Sequence, residues 1–396
     1  MAPLFAIASA LSGAFSLAGH VQNLIGTSLL SRFCQNVRIP GRPAPYQREA
    51  SSHNQEALSP SVTLMKPVHG DEPRLEDALE SFFQQDYPSY QIIFGLHKED
   101  DTALPVIRRL QQRYPHHDVT IIIDDALHGP NRKISNLINM YPSCRHDILI
   151  ISDSDIHVSP DYITHIVEAF QQEKVQLVTT LYAGLPASPS LIRMLGAHSI
   201  NTNFLPGVMM SRLMGRQDCL GATMALKRTH LQQIGGFEAL VSHVADDAVL
   251  GQLIRRNGGE IALARTLCQT TITETSLKDL FTHELRWGRT VRSVEPLGYG
   301  LSVLQLPLFW GVLCVLFAPS RRFSWGLLIG GMLCRGAVTR RINHLTNCAL
   351  PGIFPFLIFR DCLSACVMLG SARGSRVTWR GQTMHISRGK TRTKSL

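Results

Sequence analysis

Four short apolar runs, SVTLM (61–65), YQIIFGL (90–96), DVTIIID (118–124) and DILIIS (147–152), alternate with stretches of helical spacing. This alternation is the strongest constraint on the fold. In EPRLEDALESFFQQ, Leu75, Leu79 and Phe82/Phe83 recur at helical intervals, and ALPVIRRLQQRY and NRKISNLINMY read the same way. Strands that are apolar throughout are buried on both faces. The pattern therefore predicts an α/β domain built on a mostly parallel, Rossmann-like sheet with helices on each side. Such sheets bind ligands beyond the carboxyl ends of their strands. Those ends carry Lys66, Asp100 and Asp101, the run HGPNRK (128–133), and Asp153 with Asp155. No GxGxxG follows the first strand and no GxxxxGK[ST] loop occurs, which argues against a conventional dinucleotide or P-loop site.

In LIISDSDIHVSPDY (149–162) a strand runs into two carboxylates one residue apart. In an extended chain they share a face, and like charges so close raise each other's pKa. A divalent cation, Mg²⁺ or Mn²⁺, answers both problems. A plainer reading is an Asp-rich turn leading into a helix at Ser159-Pro160-Asp161. Downstream, CLGATMALKRTHLQQIGGF (219–237) reads as a strand and a short helix stopped by Gly235-Gly236. Asp246 and Asp247 then open a helix, where the macrodipole favours negative charge. The sharper reading is a catalytic base, with Asp247 one turn before Gly251, where a missing side chain leaves room for substrate. In SLKDLFTHELRWGRTVRS (276–293), His283, Arg286 and Trp287 share one face of an amphipathic helix. Trp beside Arg near a membrane is commonly an interfacial anchor, and Arg286 is also suited to grip a phosphate.

Apolar segments flank this region. Residues 3–30 read as a retained transmembrane anchor, and 299–318 as a strong span. The run 323–338 is shorter and holds Arg335. Arg360 and Asp361 interrupt 348–370, so a re-entrant or interfacial segment is expected there. Arg32 and Arg38 after the anchor place the following domain in the cytoplasm by positive-inside bias. The expected organisation is an anchor (1–31), a linker (32–60), a soluble domain (61–295), membrane segments (296–372) and a basic cytoplasmic tail (373–396). The formal net charge of +9 is concentrated partly in that tail, which suits an anionic membrane surface. Nothing in the chain has the spacing of a nucleic-acid reader. Nine cysteines without CxxC pairs fit a reducing compartment.

Taken in order, Lys66-Pro67-Val68-His69-Gly70, FFQQDYPSYQIIFG, HGPNRKISNLINM, DSDI, ADDAVLG and HELRW resemble the processive-type GT-A glycosyltransferases, in particular the ceramide glucosyltransferase branch. Within it, LHGPNRKISNLINMYP and HELRWGRTVRSVEP are most similar to the bacterial hopanoid-biosynthesis glycosyltransferases. The resemblance implies a multi-pass protein of the bacterial inner membrane that inverts a sugar, N-acetylglucosamine from its UDP donor, onto bacteriohopanetetrol. Glucosylation of ceramide from UDP-glucose is the alternative. It also implies that Asp155 and Asp153 hold the metal and the donor diphosphate, and that Asp247 is the general base with Asp246 beside it. Lys66, Asp100, Asp101, Asn131, Lys133 and Asn136 would line the donor site, and His283, Arg286 and Trp287 would border acceptor and diphosphate. The chain departs from the branch at Lys98, where an acidic residue is usual.

Overall fold

The four apolar runs form four adjacent strands, as the alternation requires. The chain is described by a computed structural model covering residues 2–35, 37–40 and 59–374, and the backbone of 376–379, 382–387 and 390–393. Its first elements are α1 (Ala2–Phe33), β1 (Val62–Pro67), α2 (Leu75–Phe83), β2 (Tyr90–Leu96), α3 (Leu104–Arg113), β3 (Asp118–Ile123) and α4 (Arg132–Met140). There follow β4 (Ile148–Ser152), β5 (Ile156–His157), α5 (Tyr162–Ala169), β6 (Val175–Pro186), α6 (Leu191–Ser199) and α7 (Leu205–Leu213). Next come β7 (Thr223–Lys227), α8 (Arg228–Gln233), α9 (Asp246–Arg256), β8 (Glu260–Ile272) and α10 (Leu277–Val294). The last are α11 (Pro296–Leu301), α12 (Pro307–Phe317), α13 (Arg322–Thr346), α14 (Phe354–Ala372), β9 (Arg376–Trp379), β10 (Gln382–Ser387) and β11 (Lys390–Thr393).

The chain divides into two compact units. One, residues 36–182 and 217–271 with the C-terminal end, holds an eight-stranded sheet of order β3-β2-β1-β4-β7-β6-β8-β5. β1 pairs in parallel with β2 and β4, and β2 with β3. β7 then runs antiparallel to both β4 and β6, and β5 antiparallel to β8. The α/β, Rossmann-like expectation holds, and the sheet joins a parallel part, β3-β2-β1-β4, to strands that pair antiparallel. The two faces are covered by different cores, as strand alternation dictates. Leu64, Ile92, Phe94 and Ile150 pack with Leu79, Phe82 and Ile107 on one face. Met65, Ile93, Leu149 and Ile151 pack with Ile134, Leu137 and Leu250 on the other.

The second unit, residues 1–35, 183–216 and 272–383, is helical. α1 and α14 are long and apolar enough to cross a membrane. The expected single span over 299–318 is broken: α11 and its following turn meet α12 at 66°. Pro307 opens α12, and a proline disfavours helical backbone at the residue before it. The re-entrant reading of 348–370 also changes, because α14 is one continuous helix of 19 residues. Its charges turn inward. Arg360, fully buried, makes two bonds to the Glu284 carboxylate at 2.8 and 2.7 Å. Asp361, also fully buried, faces Arg335 at 3.3 Å and accepts from the Leu308 amide at 3.0 Å. Ionisable groups in membrane helices are tolerated when they pair inside a bundle in this way. Most of the linker, 41–58, lies outside the described residues, and so do the side chains of the basic tail.

Candidate active site

β1 and β4 are the central parallel strands, and their carboxyl ends deliver Lys66 and Asp153 to one place. Lys66 is completely buried; its Nζ donates to the Asp153 carbonyl at 2.5 Å and Ser152 Oγ at 3.3 Å, and stands 3.7 Å above the Phe82 ring. Burial drives this amine down to about 7, against the pull of Asp155 and Asp153. β4 stops at Ser152, so Asp153-Ser154-Asp155 is a turn and not the extended strand that period-two alternation assumed. Asp155 is held instead by β8: Thr270 Oγ1 donates to its Oδ2 at 2.5 Å, and the Thr271 amide to its carbonyl at 3.1 Å. Burial, and then the charge of Asp153, raise the Asp155 carboxyl above the usual range.

Lys133, in the first turn of α4, ties this turn to α9. Its Nζ lies 2.7 Å from Asp153 Oδ1 and 3.3 Å from Asp246 Oδ2. Burial opposes its charge, but Asp153 and Asp246 prevail and hold the ammonium above its ordinary range. Asp247 follows on α9, half-buried, and its Oδ1 accepts from the Ala248 amide at 2.7 Å. Burial, then Asp246, push its carboxyl up to about 6, against the opposing charge of Lys133. The room beside it comes from Gly221, where an added Cβ would stand 3.0 Å from Asp247 Oδ2. Gly251, the expected source, is packed against Cys219 and Ile261, both 3.1 Å from an added Cβ.

Three of the expected donor-site residues hold the scaffold, although Asn136 keeps a buried Oδ1 with no hydrogen-bond partner. Asn131 caps α4 by accepting from the Ile134 amide at 3.1 Å, and donates to the His243 carbonyl at 2.7 Å. It thereby fixes Lys133 relative to the loop that leads to Asp246. Asn131→Ala should destabilise the protein by about 1–2 kcal/mol, read by thermal denaturation; an unchanged midpoint would remove this role. Asn136 donates to the Gly95 carbonyl at 2.8 Å. Asp101 accepts from the Gly70 and Ala103 amides, each at 2.9 Å, with His69 Nδ1 at 3.2 Å. This joins the loop after β1 to the start of α3. Asp100 and Lys98 are exposed in the turn after β2.

On α10, in the helical unit, the His283 ring meets Trp287 edge-on at 4.4 Å, and Arg286 lies between them in sequence. His283 Nδ1 also bonds Glu274, whose carboxyl is pushed up by burial but held below its ordinary range overall by that bond. Sequence reasoning missed Glu274, Thr270 and Tyr182. Burial, then Asp247, Asp153 and Asp155, raise the Tyr182 phenol above its usual range, which marks it as a neighbour of all three carboxylates. A hint for Thr270 was available at the end of β8, where CQTT sets three polar residues in succession.

Among the described residues no three His, Cys, Asp or Glu side chains converge as metal ligands. Asp153 and Asp155 fit a divalent cation of the kind that uses one or two carboxylates and takes further ligands from a substrate's phosphates. Lys66 and Lys133 meanwhile supply positive charge at the same strand ends.

A parallel half-sheet continued by antiparallel strands, with carboxylates gathered at the strand ends, is the arrangement of GT-A glycosyltransferases. A mannosyltransferase from Pyrobaculum calidifontis, solved in complex with GDP-mannose and Mn²⁺, superimposes with a TM-score of 0.51 at 16% identity, covering 91% of this chain and 99% of that one. Residues 23–392 match glycosyl transferase family 21, and the chain belongs to that family, a hexosyltransferase by class. It is 23% identical over 345 residues to ceramide glucosyltransferase 1 of Caenorhabditis elegans, spanning 83% of this chain and 72% of that protein. A ceramide glucosyltransferase of Komagataella phaffii is 35% identical over 115 residues, 28% of this chain and only 23% of that protein.

Proposed function

We propose that the protein transfers a sugar from a UDP-sugar to a hydroxyl of a membrane lipid, with inversion, on the cytoplasmic face of a bacterial inner membrane that it crosses more than once. The observation that carries this reading is the cluster in which Lys133 bridges Asp153 and Asp246 while Asp247 sits alongside with its carboxyl raised to about 6. A carboxylate poised near neutrality is suited to take the proton of an acceptor hydroxyl as that oxygen attacks the anomeric carbon. The C1–O bond to the diphosphate breaks on the opposite face, and UDP departs with the negative charge. Lys133 and Lys66 keep the surrounding carboxylates compensated while that charge develops. Asp153 and Asp155 would hold Mg²⁺ or Mn²⁺, which would supply Lewis-acid stabilisation of the leaving diphosphate. His283, Arg286 and Trp287 would border the acceptor and the diphosphate.

For the finer assignment we favour N-acetylglucosamine and bacteriohopanetetrol, on the likeness of LHGPNRKISNLINMYP and HELRWGRTVRSVEP to the hopanoid enzymes. Glucosylation of ceramide is a second reading, favoured by the named activity of the relatives. Purified protein should be incubated with UDP-N-acetylglucosamine or UDP-glucose and with each lipid, and the products weighed by mass spectrometry. Glycosylated bacteriohopanetetrol is the expected product. Glycosylated ceramide alone would select the second reading, and no glycolipid with any pair would overturn both.

A further inference from the structure

In the helical unit, α11, α12, α14 and the end of α10 border a half-open pocket of about 370 Å³. Its wall is largely hydrocarbon and aromatic: Val303, Phe309, Leu313, Met368 and Leu369 among others. One end is polar. There Arg292 donates to the carbonyls of Ala372 at 2.9 Å and Gly374 at 2.8 Å, while its buried Nε has no hydrogen-bond partner. Beside it the Tyr299 hydroxyl and Ser371 Oγ stand 2.8 Å apart. An oily chamber with one polar rim matches an amphiphile.

The surroundings say which amphiphile. α14 is long and apolar enough to cross a membrane, and the bent pair α11–α12 passes the same test as one broken span. Leu297, Leu301, Leu316 and Leu369, on these same helices, are all more than half exposed, which suits contact with lipid and not with water. Arg292 is also on the helix that carries His283 and Trp287, about 13 Å of helix rise beyond His283. We infer that this pocket is the seat for the hydrocarbon portion of the lipid acceptor, entered from the bilayer, with Arg292 and Tyr299 meeting its polar end. The inference rests on the proposed transfer to a lipid and adds where that lipid is held.

Gly300 gives a clean probe. It lines the cavity, and a Cβ added there would touch nothing within 4 Å. Gly300→Phe should therefore add a ring at the pocket's edge with no clash at its Cβ and compete with a bound hydrocarbon for that space. Displacing two or three methylenes, about fourfold in binding each, should raise KM for the lipid acceptor roughly 15- to 60-fold. KM for the UDP-sugar should stay as in the wild type. Leu297→Phe, on the same short helix but outside the cavity, should leave both constants unchanged.

A second measurement stands apart from turnover. Bacteriohopanetetrol and ceramide should each be given a diazirine on the hydrocarbon portion and placed in nanodiscs with the full-length protein; whichever lipid is glycosylated should label the peptide containing 354–372. Gly300→Phe should abolish that label. An unchanged acceptor KM in a Gly300→Phe protein of normal donor affinity would overturn the inference, as would labelling that persists in the variant. If the wild type glycosylates no lipid, the proposed function falls; labelling of 354–372 that Gly300→Phe removes would still establish the cavity as a hydrocarbon site.

Discussion

Asp247→Asn should lower turnover by about 10²–10⁴-fold, the usual cost of removing a general base, while donor affinity changes little. The substitution keeps the shape of the side chain and removes its ability to accept a proton. Donor affinity is expected to survive because Asp153, Asp155 and the two lysines are untouched. The pH profile carries the same signature. With the carboxyl raised to about 6, the base is ionised above that pH and protonated below it. In the wild type, kcat/KM should therefore rise with pH through about 6, and the acid limb should vanish in Asp247→Asn. The charge of neighbouring Asp246 contributes to that rise, so both carboxylates bear on the limb. They differ in partner, however: Asp246 is engaged by Lys133, and Asp247 borders the opening left by Gly221. Turnover and UDP-sugar binding should be measured for both single variants. A fully active Asp247→Asn protein would show that another group takes the proton.

Asp155→Asn should depress donor binding and turnover together, by more than about 10²-fold, since a metal at a developing oxyanion is worth several kcal/mol. Chelation should silence the wild type, and added Mg²⁺ or Mn²⁺ should restore it. Calorimetric titration with UDP should show binding that depends on the cation in the wild type and not in the variant. Thr270→Val gives a graded control, because the hydroxyl that orients Asp155 would be lost while the carboxylate remains. Losses of about 10–100-fold in metal affinity are typical for such supporting partners. Full activity in excess chelator would exclude the cation and leave compensation of the diphosphate to basic side chains such as Lys66, Lys133 and Arg286.

The parallel half of the sheet was legible because its strands are apolar end to end and its helices keep their period. In the antiparallel half β7 was legible, within 219–237, but β6 and β8 were not. β6 and β8 carry buried threonines such as Thr179, Thr180 and Thr266, so neither reads as a hydrophobic run. Position in sequence brought Lys66, Lys133, Asp153, Asp155, Asp246 and Asp247 to notice, because chain order puts them at strand ends and helix starts. It could not foresee that the side-chain amides of Asn131 and Asn136 also hold the scaffold, each donating to a backbone carbonyl. Partners more than a hundred residues away, such as Thr270 for Asp155, leave no local signal at all. The broken span had its cause in view, a proline at 307, whereas α14 was misread because its partner for Arg360 lies 76 residues upstream.

The ion pairs of α14 also bear on how the protein is made. As a spanning helix released alone into lipid, α14 would carry Arg360 and Asp361 unpaired at mid-depth, at about 2.5–3.5 kcal/mol each. Glu284 and Arg335 have both left the ribosome before Arg360 is synthesised, and they are the groups that neutralise it and its neighbour. As a spanning helix, α14 would depend on segments made before it, and its entry into a bilayer would wait for them. Assembly acquires an order from this: the C-terminal helix closes the bundle, and a chain lacking Glu284 or Arg335 would present α14 to the insertion machinery with no counter-charge to receive it.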